Sequence, residues 1–210
     1  METSPGMPLP LFPLKAVLFP DALLALRVFE ARYLDLVAEC LRSGAPFGVV
    51  CIKQGSEVGS RSDTGQAMEF EALGVLAHIV EADAEQAGIL MLRCRGGQRF
   101  RLLEPASQRD KGLWVAGAEL VAPDPPRPPG PAMLATVSAL AEAIKHLQQQ
   151  QRAPFATPYR LDDAGWVANR WCELLPLPLA AKQRLMALDD PLIRLSLVDG
   201  FLRDKKVLFD

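Results

Sequence analysis

Four arginines, Arg93, Arg95, Arg99 and Arg101, make the densest run of like charge in the chain. On a strand, residues two apart share a face, so this spacing offers an anion or a phosphate backbone a row of guanidinium groups. The other residues able to do chemistry are scattered. His78 lies in an apolar, strand-like stretch, where a satisfied structural histidine is expected. His146 lies among polar residues near a helix end, where a solvated one is expected. Cys40, Cys51, Cys94 and Cys172 form no CxxC pair and, with only two histidines, no zinc-finger spacing. They read as small buried hydrophobes of a reducing compartment. Asp162-Asp163 and Asp189-Asp190 resemble paired catalytic carboxylates, but each pair stands where a helix must begin, so capping accounts for them. The phosphate loop GxxxxGK[ST], the dinucleotide turn GxGxxG, the serine elbow GxSxG and the zinc helix HExxH are all missing. The expectation is a binding protein with no catalytic residues, no metal and no cofactor.

The arginines need a scaffold. Strands Ile89–Arg95 and Arg99–Leu103 flank Gly96-Gly97-Gln98, which reads as a hairpin. A two-residue Gly-Gly turn would mix arginines and apolar side chains on both faces. A three-residue loop pairs Arg95 with Arg99 and Arg93 with Arg101. It gathers Leu90, Leu92, Cys94, Phe100 and Leu102 on the inner face, so the hydrophobic pattern favours it. Four outward arginines need neutralising, by carboxylates such as Glu81, Asp83, Glu85 and Glu104 or by a bound anion. The net charge of −2 and the pI near 5.8 supply no whole-chain attraction for nucleic acid, which is not the expected partner.

With half of its 210 residues hydrophobic, the chain has a globular composition. Its one sharp break is Pro123 to Pro131, where six prolines in nine residues exclude a helix or a central strand. Before it come short apolar runs bounded by Gly, Pro, Asp and Ser, the pattern of strands. One helix interrupts them, from Glu30 to Ser43, with Tyr33, Leu34, Val37 and Leu41 on its apolar face and Gly44 to end it. Ser56 to Glu71 reads as a long polar loop. After the break the periodicity is helical: Pro131 to about Gln151, a second helix capped by Asp162 or Asp163 and running through Leu174, about Ala180 to Ala187, and a last helix opened by Asp190-Pro191. The fold class is therefore α+β. A barrel-like β subdomain with one inserted helix spans 1–122, a proline-rich linker 123–131, and a small helical bundle 132–210. No secretory signal pattern opens the chain and no apolar run is long enough to span a membrane, so a cytoplasmic protein is expected.

A set of short motifs carries a resemblance. It begins with Leu9-Pro-Leu-Phe-Pro-Leu14, Val17-Leu-Phe-Pro20, Leu24-Ala-Leu-Arg-Val-Phe-Glu30 and Arg32-Tyr33-Leu34. It continues through Phe47-Gly-Val-Val50, Glu57-Val-Gly59, Gly74-Val-Leu-Ala-His-Ile79 and Gly96-Gly-Gln-Arg-Phe-Arg101. Ala168-Asn-Arg170, Glu173-Leu-Leu-Pro-Leu177, Lys182-Gln183 and Asp190-Pro191 follow in the helical half. In this order they resemble the substrate-binding N-terminal domain of the ATP-dependent Lon (La) proteases, and in particular its stand-alone bacterial members. Asp21 departs from the pattern, since many members carry glycine there, and the proline-rich stretch is richer than the family's. The resemblance implies a PUA-like β pseudo-barrel followed by a helical bundle, and a role in engaging unfolded or partner polypeptides. At 210 residues the chain is not expected to carry the family's ATPase and peptidase. The alternative is a PUA-like RNA- or anion-binding protein using Arg93, Arg95, Arg99 and Arg101. For a peptide, Pro10, Pro13 and Pro20 suggest an open strand edge near Leu9–Leu14, with Phe12, Phe19 and Leu26 offering pockets.

Overall fold

Apolar stretches punctuated by proline and glycine become strands as far as residue 120, and the stretches periodic by three and four become helices beyond it. The computed structural model describes residues 6–55, 68–86 and 88–206, and the chain divides into two compact units, Met1–Ala122 and Pro123–Asp210.

The first unit contains β1 (Met7–Leu14), β2 (Leu23–Val28), α1 (Ala31–Ser43), β3 (Phe47–Gln54), β4 (Glu69–Phe70), β5 (Leu73–Gln86), β6 (Ile89–Leu102), β7 (Ser107–Gln108) and β8 (Trp114–Leu120). The sheet runs β2-β6-β5-β3-β1-β8-β7, and β6 also pairs with β8. Five strands thereby return on themselves as a ring, with β2 and β7 as branches and β4 attached to β3. The ring is a pseudo-barrel, because β6 reaches β8 only through Phe100 to Leu102. Leu9, Leu11, Val50, Leu76, Phe100, Ala116 and Ala118 fill it; burying each of the larger ones stabilises by about 1.5–3 kcal/mol.

Two expectations change here. The first concerns β1, which is not an open edge. Its first half pairs with β8 from Met7 to Leu11, and its second half with β3 from Leu11 to Leu14. Pro8 and Pro10 fall in the stretch paired only with β8, and Pro13 in the stretch paired only with β3. A strand that changes partner midway tolerates residues without an N–H on the unpaired side.

The second concerns the glycines. Gly96-Gly97-Gln98 is no hairpin loop; β6 runs straight through it, and the turn falls instead between Gln86 and Ile89. The glycines serve close approach. A Cβ on Gly96 would sit 2.2 Å from the carbonyl oxygen of Phe19, and one on Gly97 would sit 2.7 Å from Nε2 of His78. Gly96 also exchanges backbone hydrogen bonds with the Asp21–Ala22 turn, at 2.8 Å each way. A bulge between the Ala77–Gly96 and Val75–Arg99 pairs takes up one extra residue and resets the alternation beyond it.

In α1, Gly44 adopts the left-handed conformation that ends a helix and donates its N–H to the Cys40 carbonyl. The buried face holds Tyr33 and Val37 as expected, with Arg32, Leu36 and Cys40; Leu41 is 53 % exposed.

The second unit holds α2 (Leu134–Gln149), α3 (Ala164–Leu174), α4 (Leu179–Ala187) and α5 (Pro191–Asp204). Asp163 caps α3 by accepting from the Gly165 N–H at 2.9 Å, and Asp190 caps α5 by accepting from the Leu192 N–H at 2.8 Å. The proline-rich stretch is tied to these helices: Arg194 donates to Asp124 at 2.6 Å, and the Ala164 N–H to the Arg127 carbonyl at 2.7 Å. No helix among the described residues is long and apolar enough to cross a membrane.

Candidate functional site

Phe12, Phe19 and Leu26, expected as peptide pockets, are 7, 0 and 7 % exposed. They are core residues in this structure. Phe12 stacks on Tyr33 with ring centroids 4.2 Å apart and packs against Phe47 at 5.8 Å. Burial pushes the Tyr33 phenol up to about 12, the guanidinium of Arg32 pulling the other way and Glu30 adding to the rise.

The arginines do not form one row. The bulge turns Arg99 inward, to 4 % exposure, while Arg93 and Arg101 stay outside and Arg95 is half-buried. Each of the outer three meets a carboxylate: Arg93 meets Glu81 at 3.4 Å, Arg95 meets Asp21 at 2.8 Å and Arg101 meets Glu119 at 3.9 Å. Of the expected acidic partners, Glu81 serves; Asp21 and Glu119 were not anticipated. Asp21 stands at φ +63°, where glycine sits without strain, and its ion pair to Arg95 gives the aspartate a function there. Ion pairs of this kind are worth about 0.2–1 kcal/mol each; they leave Arg93 and Arg95 matched on one face of β6 and Arg101, beyond the bulge and on the face of Arg99, matched on the other. His78, expected as a satisfied structural histidine, lies opposite Arg95 and is exposed, with its ring over Gly97.

An apolar groove of about 470 Å3 opens elsewhere on the ring, between β4 and the chain leaving β6. Phe70, Ala72, Leu102, Leu103, Pro105 and Ala106 line it, with Glu69 and Glu104 also at its wall. It is anchored on the core, since Phe70, Leu102 and Ala106 pack on the residues that fill the ring. Phe70 also meets Trp114 edge-on at 5.0 Å, while Leu103 remains 48 % exposed. Glu104 is held by the Gly117 N–H at 3.3 Å. A rigid aromatic floor, an exposed leucine and two carboxylates suit an apolar side chain of a polypeptide. Sequence reading placed Phe70 in a loop, because a two-residue strand leaves no periodicity. Leu102-Leu103 does carry a signal: adjacent leucines at a strand end cannot both face inward.

All four cysteines are buried and free, and burial pushes the thiols of Cys94 and Cys172 up to about 12, the opposite of an activated nucleophile. Among the described residues no three His, Cys, Asp or Glu side chains gather as metal ligands would.

The family model for the ATP-dependent protease La (LON) substrate-binding domain matches residues 8–204. The chain belongs to this family. The crystal structure of a Lon N-terminal domain protein from Xanthomonas campestris is 35 % identical to it, with a TM-score of 0.73, over 92 % of this chain and 98 % of that one. The N-terminal domain of Lon protease from the Mycobacterium avium complex is 16 % identical, with a TM-score of 0.60, over 94 % of this chain and 99 % of the other; that likeness shows the fold alone. No curated protein matches the chain. Its pseudo-barrel and helices are thus those of a Lon substrate-binding domain.

Proposed function

We propose that this chain is a non-catalytic module that binds unfolded or partner polypeptides. The family match over residues 8–204 carries the reading, and the apolar groove beside β4 supports it with a surface suited to side chains. Fold alone does not decide function, but the groove beside β4 offers a surface of the kind a binding module needs, and the thiols of Cys94 and Cys172 are raised, not activated. A reducing, cytoplasmic setting suits four free thiols. The RNA- or anion-binding alternative draws no support from arginines that are split between two faces and whose outer members meet Glu81, Asp21 and Glu119.

The test is fluorescence anisotropy of a labelled, reduced and alkylated protein that cannot fold, titrated with this chain. Saturable binding, weakened about tenfold by Leu103→Glu with the fold retained by circular dichroism, is the expected result. Absence of binding to any unfolded chain would defeat the reading. A salt-sensitive RNA complex lost on replacing Arg93, Arg95 and Arg101 would put the alternative in its place.

A further inference from the structure

The long hairpin of β5 and β6 holds a second recognition surface, on a backbone edge. β3 pairs with β5 only from Val75 to Ala77. From His78 to Gln86, among the described residues, β5 is paired on one side only, by β6. The other side is a row of backbone N–H and C=O groups, the template on which an extended chain adds a strand.

The two faces beside that edge differ in chemistry. Residues opposite one another in a pair share a face. Ile79 and Ala82 lie across from the buried Cys94 and Leu92 and share their side of the sheet, Ile79 half-buried and Ala82 exposed. Glu81 and Asp83 lie across from Arg93 and Met91, and both are exposed on the outer face. On the inner side, Ala84, Ile89 and Leu90 share a groove of about 460 Å3 with Leu34 of α1. Ala38 and Leu41, one and two turns further along the same side of α1, are exposed as well. The edge is thus bordered by an apolar strip within and, without, by the exposed Asp83 and by Glu81, which meets Arg93 at 3.4 Å while both of those side chains stay largely exposed.

We infer that the β5 edge from Ile79 to Gln86 takes an extended polypeptide segment as an added strand, one in which apolar side chains alternate with basic ones. The period-two alternation of a strand sends the apolar set towards the Leu34 groove and the basic set towards Glu81 and Asp83. A second copy of the same edge is a poor occupant, because it would set these carboxylates against their like. The inference rests on the polypeptide-binding reading and names the class of segment bound.

Amide hydrogen exchange on the intact chain tests it, with a short peptide of alternating valine and lysine as the probe. Controls are a valine–glutamate peptide and a peptide of the same valine–lysine composition in two blocks. The alternating valine–lysine peptide is expected to slow exchange within Ile79–Gln86 and to bind about tenfold more tightly than either control. The double variant E81K/D83K, altered only at exposed positions, is expected to reverse the preference in favour of the glutamate peptide. Leu34→Lys is expected to weaken both alternating peptides. Unchanged exchange in Ile79–Gln86 at saturating peptide, or a charge preference that E81K/D83K leaves as it was, overturns the inference. So does peptide-free protection of the edge that grows with protein concentration, which would make a second copy the occupant. The two readings separate. If unfolded protein still binds and Leu103→Glu weakens that binding about tenfold while the β5 edge stays unprotected, the edge assignment fails and the polypeptide-binding function stands. If no polypeptide binds at all, both fail.

Discussion

In the strand-rich unit the ring closes over leucine, valine, phenylalanine and alanine, whereas the helical unit encloses two guanidinium groups, Arg170 and Arg194, at 0 and 1 % exposure. The contrast follows from where each architecture uses its backbone. Strands hydrogen-bond to their neighbours, so a closed ring joins its elements without help from side chains. Helices satisfy their N–H and C=O groups internally and must be joined by side chains alone. These helices run from nine to sixteen residues, too short for apolar stripes to do all of the joining. Arg194 supplies a polar staple: it donates to Asp124 at 2.6 Å, to Asn169 at 3.1 Å and to the Leu185 carbonyl at 2.9 Å, and also reaches the Leu188 carbonyl. One side chain of α5 thereby holds the proline-rich stretch, α3 and the end of α4. Arg170 lies against the rings of Phe155 and Trp166, at 5.4 and 5.5 Å, and pairs with Glu173. Arg32 and Arg99 of the first unit are also buried, at 8 and 4 %, but they accompany a ladder of strands that already joins the parts.

Removing the staple should break the comparison most sharply. Arg194→Met keeps the volume and discards the charge, removing one donor each from Asp124, Asn169 and the Leu185 and Leu188 carbonyls. The expected loss is about 3–5 kcal/mol, confined to the helical unit. Chemical denaturation separates the units, because Trp166 and Trp171 report on the helices while the ring carries Trp114. An unchanged midpoint for the helical transition would show that its apolar contacts suffice and the contrast is empty.

The matching change in the ring is Gly96→Ala. The new methyl would overlap the Phe19 carbonyl oxygen, a backbone atom with little freedom to yield, at 2.2 Å. A destabilisation of about 2–3 kcal/mol is expected, this time in the ring transition with the helical one unmoved. Equal tolerance of alanine and glycine at 96 would return Gly96-Gly97 to the status of an ordinary turn.

These glycines also show where sequence reading stops. Gly44 and the caps Asp163 and Asp190 are legible because their partners lie within a few residues. So is the change from strands to helices at the proline-rich stretch, which needs only composition. Gly96 is different: a turn and a close approach call for the same residue, and the approaching atom belongs to Phe19, far away in sequence. The same distance hid the interior position of β1, since prolines record a missing N–H but not which side lacks a partner. It also hid the groove at Phe70 and Leu103, and the free edge of β5, whose pattern of Ile79, Glu81, Ala82 and Asp83 says nothing of where β3 stops.

The smallest expected effect lies within the polar chemistry of the helical unit. Asp199, 7 % exposed, accepts from the Thr136 hydroxyl and, at 2.8 Å, from Nε of Arg203. The Thr136 carbonyl in turn accepts from the Trp171 indole at 3.1 Å, so the carboxylate joins α2, α3 and α5. Burial pushes the Asp199 carboxyl up, but the hydrogen bonds from Arg203 and Thr136 outweigh it and hold the group below its ordinary value of 3.8. A carboxyl lowered in the folded state binds protons less readily there than in the unfolded chain. Its contribution is therefore complete above the ordinary value and is lost as pH falls through the lowered one. Asp199→Asn should cost about 1 kcal/mol near neutrality, and its Tm should converge on that of the native protein as the pH drops below 3.8. Thermal melts followed by circular dichroism from neutral to acid pH measure the convergence. Curves that stay parallel to the acid limit would mean that the Asp199 charge contributes nothing, leaving the buried arginines alone to distinguish the helical unit from the ring.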